Sequence, residues 1–209
     1  MTHYPVTGAK VVKRAIPTSA FQRFKVRPVQ ELNDFQRVIA IRAAVYMSEQ
    51  DCPYDEEYDG NDLCASHFLV FDGPIAIGTL RIRWFSEFAK LERITFLSNH
   101  RGGQGLLVLL AEAFEVVARK GYRKMVGHIQ ARLWPLWSRT FDCKLLENRP
   151  TFQFSDYDYR EIIIFIPRHP TALALDEDPY VLLRPEGDWD RPGVLDQISP
   201  SETHHEKAA

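Results

Sequence analysis

From Glu31 onward, apolar residues fall at Leu32, Phe35, Val38, Ile39, Ala43 and Tyr46. Steps of three and four predict an amphipathic helix ending near Met47. Ahead of it, Phe24–Val29 alternates as FKVRPV and predicts a first strand, while residues 1–23 carry no clean period and are expected to form an irregular arm or short helix. Residues 48–66 are acidic and turn-rich. His67–Phe71 and Ile75–Phe85 then flank Asp72-Gly73-Pro74, the pattern of a hairpin. Leu91–Leu97 predicts a further strand. Leu106–Arg119 is apolar over most of a helical circumference, so it should be buried, and Gly121 stands where a glycine would end it. Lys124–Gln130 follows as a strand, Leu133–Phe141 as a short helix carrying Trp134 and Trp137, and Cys143–Phe154 and Glu161–Ile166 as closing strands. Beyond Pro167 prolines and charges dominate, and the last dozen residues are expected to lack order.

The order β-α-β-β-β-α-β-α-β-β describes an α/β (α+β) domain, a mixed sheet flanked by helices. Three stretches are expected: an N-terminal arm over residues 1–23, the domain over 24–167, and a C-terminal extension over 168–209.

Composition narrows the function. The 209 residues carry a formal net charge of -2, which argues against a nucleic-acid surface. No apolar run approaches the roughly 20 residues needed to span a bilayer, and no apolar leader opens the chain. Cys52, Cys64 and Cys143 are odd in number and form no CxxC, so free thiols and a cytoplasmic location are expected. No metal is expected. Asp55, Glu57, Asp59 and Gly60 mimic the start of a calcium loop, but Asp62 and Ser66 stand where that loop needs an apolar residue and a glutamate. A site of Asp59, Asp62 and His67 is the remote alternative.

The most informative stretch is Leu91–Tyr122: an apolar strand, a turn containing Gly102, Gly103 and Gly105, then the long helix. Such a turn aims backbone N–H groups and a helix N-terminus at one point, which favours an anion such as the pyrophosphate of coenzyme A. Arg101 could grip a phosphate and His100 could add a donor. The alternative is an ordinary turn whose glycines only relieve sterics.

These residues resemble the GNAT superfamily of N-acyltransferases. Arg93-Ile-Thr-Phe, four residues, Arg101-Gly102 and then Leu109-Leu110 are similar to its strand, glycine turn and helix. Arg42-Ala-Ala-Val45-Tyr46-Met-Ser-Glu49-Gln50, followed by Glu57-Tyr-Asp59-Gly-Asn-Asp62 and His67, resembles a branch reading RxxVFxxEQ and then ExDxxD. Gly78-Thr79-Leu80-Arg81 is similar to that branch's GTxRL strand. The resemblance covers about residues 24–167. There are departures. In the gapless register Gln104 and Leu106 replace two glycines of the turn, and a one-residue slip puts His100 at an Arg/Gln position. Trp137, Ser138, Phe141 and Asp142 lie where the family has a tyrosine and a glycine-phenylalanine pair.

The resemblance implies a mostly antiparallel sheet of about six to seven strands. It also implies an acyl-CoA co-substrate, acetyl-CoA above all, held by Ile94, Thr95 and Phe96 and by His100, Arg101, Gly102, Gly103, Gln104, Gly105 and Leu106. Glu92 becomes a candidate base for a small-molecule amine acceptor, or else a glutamate paired with Lys90 or Arg93. Ser138 becomes a candidate proton donor to the leaving thiolate. Arg42, Glu49, Glu57, Asp59, Asp62 and Arg81 become candidates for the acceptor pocket, the acids alternatively being a solvated loop. Long-chain N-acyl amino acid or acyl-homoserine-lactone synthesis from acyl carrier protein is a second possibility, and a GNAT-shaped module without turnover a third. The extension over 168–209 either covers the acceptor side or forms a homodimer.

Overall fold

A computed structural model describes residues 5–154 and 157–197. The last dozen residues lie outside that range. In chain order the elements are α1 (Thr18–Arg23), β1 (Phe24–Pro28), α2 (Leu32–Arg42), α3 (Tyr54–Glu57), β2 (Ser66–Asp72), β3 (Ile75–Trp84) and β4 (Ala89–Phe96). They continue with α4 (Gln104–Arg119), β5 (Lys124–Gln130), α5 (Trp134–Thr140), β6 (Cys143–Leu145), β7 (Phe152–Phe154), β8 (Tyr157–Phe165) and α6 (Pro179–Leu182).

Eight strands form one sheet in the order β1-β2-β3-β4-β5-β8-β6, with β7 also on β8. Every pairing is antiparallel except β4 with β5. The strand expected over Cys143–Phe154 is two short strands. Asn148 takes a left-handed φ of 59° and Pro150 lacks an amide, so the ladder cannot run through that segment. β8 correspondingly begins at Tyr157, ahead of the expected Glu161.

α4 covers one face of the sheet, burying Val108, Leu109, Leu110, Phe114 and Val117. Gly105 faces the rings of Phe96 and Phe24, 3.4 and 3.5 Å from where a Cβ would sit, so the helix lies close on the sheet. α2 packs on the opposite face, where Val38 and Ile41 meet Leu69 and Phe71. The strand and helix periodicities of the sequence thus converge on two apolar layers.

The chain divides into one compact unit up to Leu173 and a second from Ala174. Within the stretch expected as an irregular arm or short helix, α1 spans Thr18–Arg23 and the residues ahead of it are tied to α4. Thr7 and Gly8 donate their amides to Oε2 of Glu115 in α4, at 2.7 and 2.5 Å, and Val12 bridges to Phe141. Oε1 of the same carboxylate meets Nε2 of His169 at 3.1 Å. His169 Nδ1 accepts from the Thr171 amide, so Nε2 carries the proton and donates. Glu115 is buried, and an unpaired charge there would be costly; these donors satisfy it. The second unit holds α6, capped by Asp178, and an Arg184–Asp196 pair at 2.8 Å. Among the described residues no helix is long and apolar enough to cross a membrane.

Candidate active site

β4 and β5 pair only over Ala89–Leu91 with Met125–Gly127, and then part. A cavity of about 680 Å³ occupies the split. Its walls include Glu92–Phe96 from β4, His128–Gln130 from β5, Leu133, Leu136 and Trp137 around α5, and Phe152 and Tyr159 from β7 and β8.

On the β3 side, β4 carries a bulge. Thr79 pairs with Thr95 and Arg81 with Glu92, so Arg93 and Ile94 together oppose Leu80. Arg93 sits at φ 52°, a left-handed conformation that strains a residue with a Cβ. Three contacts hold the bulge in place. The Arg93 guanidinium reaches Glu57 at 2.9 Å and the Glu56 carbonyl at 2.7 Å, and the Tyr46 hydroxyl donates to the Ile94 carbonyl at 3.1 Å. Tyr46 is delivered by a π turn, Ala43–Met47, that continues α2. Bulges re-aim side chains beside active sites, and this one lies at the point where the strands part.

The glycine turn leads from β4 into α4. Gly102 has φ 75°, and open space lies where its Cβ and that of Gly103 would project. Gly103 is the helix N-cap, and no side chain caps the first turn. Those amides therefore face an open corner. Of the expected binding residues, Ile94, Thr95, Phe96, His100, Arg101, Gly102 and Leu106 line the cavity. Gly103 and Gln104 lie beside it, and Gly105 is spent on packing. Arg101 is exposed at the cavity rim, where it pairs with Glu49 and its Nε donates to the Phe96 carbonyl at 3.0 Å.

The acidic residues expected to make the acceptor pocket negative form a buried ion network instead. Arg42 pairs with Glu57 and, at 2.6 Å, with Asp62. Arg81 bridges Asp59, Asp62 and Glu92 at 2.7–2.8 Å, and Lys90 meets Glu92 at 2.7 Å. Four carboxylates thus face Arg42, Arg81, Arg93 and Lys90, with Arg83 also 4.0 Å from Glu92, so the acids of the cluster are fully compensated. Arg42, Arg81 and Glu57 are almost fully buried, and of the expected acceptor set only Asp59 reaches the cavity wall. Neither a solvated loop nor an anionic pocket describes this arrangement.

Glu92 lines the cavity, but its chemistry differs from the expectation of a base. Burial pushes its carboxyl up, yet hydrogen bonding to Lys90 and the Arg81 charge outweigh it, so the group is held below the ordinary glutamate range. Asp59 is depressed further, burial again being outweighed by Arg81, the Asn61 amide and Arg93. Ser138 is a correction too. Its hydroxyl lies 3.4 Å from the Pro135 carbonyl one turn back, and the residue does not line the cavity. Trp137 is buried against Phe141 and also forms part of the wall, so packing and lining are not alternatives for it.

Sequence reasoning passed over Arg93, His128, Phe152 and Tyr159. His128 could have been found by alternation: buried Met125, Gly127 and Ile129 send His128 and Gln130 to the face that carries Lys90 and Glu92.

No protein-family model matches the chain. It is 32% identical over 112 residues to a Bacillus subtilis (strain 168) protein named as an acetyltransferase, BSU40680, a match covering 51% of this chain and 76% of that one. A structure from Lactobacillus plantarum named as an N-acetyltransferase shares the fold with a TM-score of 0.63 at 17% identity, covering 69% of this chain and 99% of its own. FeeM, an N-acyl amino acid synthase from uncultured soil microbes, gives 0.59 at 11% identity over 85% of this chain and 99% of its own. A split sheet with a bulged fourth strand and a glycine turn opening onto a helix is an acyltransferase architecture. The chain belongs to the GNAT superfamily of N-acyltransferases.

Proposed function

We propose that the protein transfers an acyl group, acetyl in the simplest case, from an acyl-coenzyme A to the primary amine of a small molecule. The observation that carries this is the open corner at Gly102 and Gly103, where the uncapped start of α4 adjoins the split between β4 and β5. Amides and helix dipole there suit the pyrophosphate. Beyond Leu91, β4 has no β5 partner, so its main chain is available to an extended pantetheine arm by strand-like pairing. N–H groups at the bulge would polarise the thioester carbonyl.

Direct attack by the amine fits better than a covalent acyl-enzyme. No cysteine lines the cavity, and burial raises the thiols of Cys52 and Cys143 above their ordinary value.

One observation favours a second reading, a long-chain N-acyl amino acid synthase fed by acyl carrier protein. Leu133, Leu136, Trp137 and Phe152 give the cavity apolar wall for a longer chain. The test is a thermal shift with acetyl-CoA, a long-chain acyl-CoA and acyl-loaded carrier protein, followed by thiol release with an amine panel. Binding and turnover of acetyl-CoA support the first reading. Response to the long-chain donors alone supports the second, and no response to any donor refutes both.

A further inference from the structure

Resting on that functional reading, we propose that His128 is the base that takes the proton from the acceptor amine. Leu91 pairs with Gly127, so Glu92 and His128 stand side by side one residue farther along, where the strands begin to part. The imidazole is exposed to the cavity and lies edge-on to Phe152, ring centroids 4.8 Å apart at 72°. That contact orients the ring and leaves its nitrogens open, and among the described residues none is hydrogen-bonded to the imidazole. Glu92, one strand away, already accepts from Arg81 at 2.7 and 3.0 Å and pairs with Lys90. A carboxylate so engaged gains little by taking a proton.

The charged groups around His128 are Lys90 and Glu92 on β4, Glu161 opposite it on β8, and Arg132 on the following turn. Arg132 is turned toward Gln130 at 2.9 Å and the Tyr157 ring. The other charged or titratable lining groups include Asp55, Glu56 and Asp59 with Arg83, Arg93, Arg101 and His100. Partial desolvation first, and then the Lys90 ammonium, hold the imidazole below its ordinary range against the pull of Glu161 and Glu92. It is therefore neutral at pH 7, the state a proton acceptor requires.

The step balances. The imidazole takes a proton from the ammonium, the freed amine forms a C–N bond to the thioester carbonyl carbon, and the C–S bond breaks. The second amine proton passes to solvent, which leaves the neutral amide, and the departing thiolate takes the first proton from the imidazolium, so His128 returns to its neutral form.

The experiment uses the full chain, acetyl-CoA and the best amine of the panel, with kcat and KM measured against pH. The wild type should lose kcat/KM about tenfold per unit below the histidine pKa. His128→Gln should lower kcat by about 10²–10⁴-fold and abolish that limb, with the KM for acetyl-CoA nearly unchanged. Added imidazole should partly restore His128→Ala, and Glu92→Gln should keep the limb whatever its effect on rate. A His128→Gln variant that keeps both rate and limb overturns the proposal. A wild type that binds acetyl-CoA but acylates no amine counts against the functional reading instead. In that event the proton NMR titration of His128 still decides: a pKa at or above the ordinary histidine value overturns its role.

Discussion

Replacing Arg81 by methionine removes the cation that joins three carboxylates. Its guanidinium is 1% exposed and donates to Asp59, Asp62 and Glu92 through five hydrogen bonds of 2.7–3.0 Å. Methionine fills much of the volume but leaves Asp59, Asp62 and Glu92 to Arg42, Arg93, Lys90 and the more distant Arg83. Breaking a buried pair by deleting one partner costs about 3–5 kcal/mol, which for a chain of this size lowers Tm by roughly 6–20 °C. Arg81→Lys should lose an intermediate amount, because a point charge cannot span the three acids. The pH dependence gives the sharper test. Asp59, Asp62 and Glu92 all have folded-state values below their ordinary ones. Such groups stabilise the fold above their unfolded values, about 4, and that contribution fades as pH falls through the folded values. The gap between wild type and Arg81→Met in urea melts should therefore be widest near neutrality and shrink below about pH 4. An unchanged midpoint at pH 7, or a gap that widens on acidification, would refute the assignment of this cluster as a satisfied, charge-compensated network.

Other changes probe separate parts of the molecule. Gly103→Leu, at an ordinary extended φ of -94° facing open space, should leave the unfolding free energy within about 1 kcal/mol of wild type yet abolish the acyl-CoA thermal shift by filling the anion corner. Gly8→Ala would place a Cβ 1.9 Å from the Ala111 carbonyl, so it should cost at least about 1–3 kcal/mol in urea melts by prising the N-terminal segment off α4. Tyr46→Phe deletes the hydroxyl that holds the bulge at Ile94; about 0.5–1.5 kcal/mol of stability should go, and kcat should fall more than binding of the acyl donor.

The pattern of residues revealed the sheet and its two helical layers because each rests on a short period. The alternation in Lys124–Gln130 and the three-four steps after Glu31 are visible without any partner strand. The glycine turn was legible for the same local reason. What escaped depends on distant partners. Arg42 meets Glu57 and Asp62 only after the chain has folded back, so nothing in either segment says that the charges cancel. The bulge at Arg93 is a shift of register against β3, and a single strand carries no mark of register. Ser138 was nominated because the family tyrosine is missing, yet its hydroxyl turns to its own helix. The split of 143–154 around Asn148 and Pro150 did leave a local signal, the proline.

Glu115 sets how short this protein can be made. Its partners come from Thr7, Gly8 and His169, far apart in sequence and outside the strands and long helices that define the superfamily. Trimming to those elements alone would strip a buried carboxylate in the middle of α4 of the hydrogen-bond donors it draws from both flanks. A stable fragment has to start ahead of Thr7 and run past Thr171, so flanking sequence that looks dispensable is part of what keeps the central helix in place.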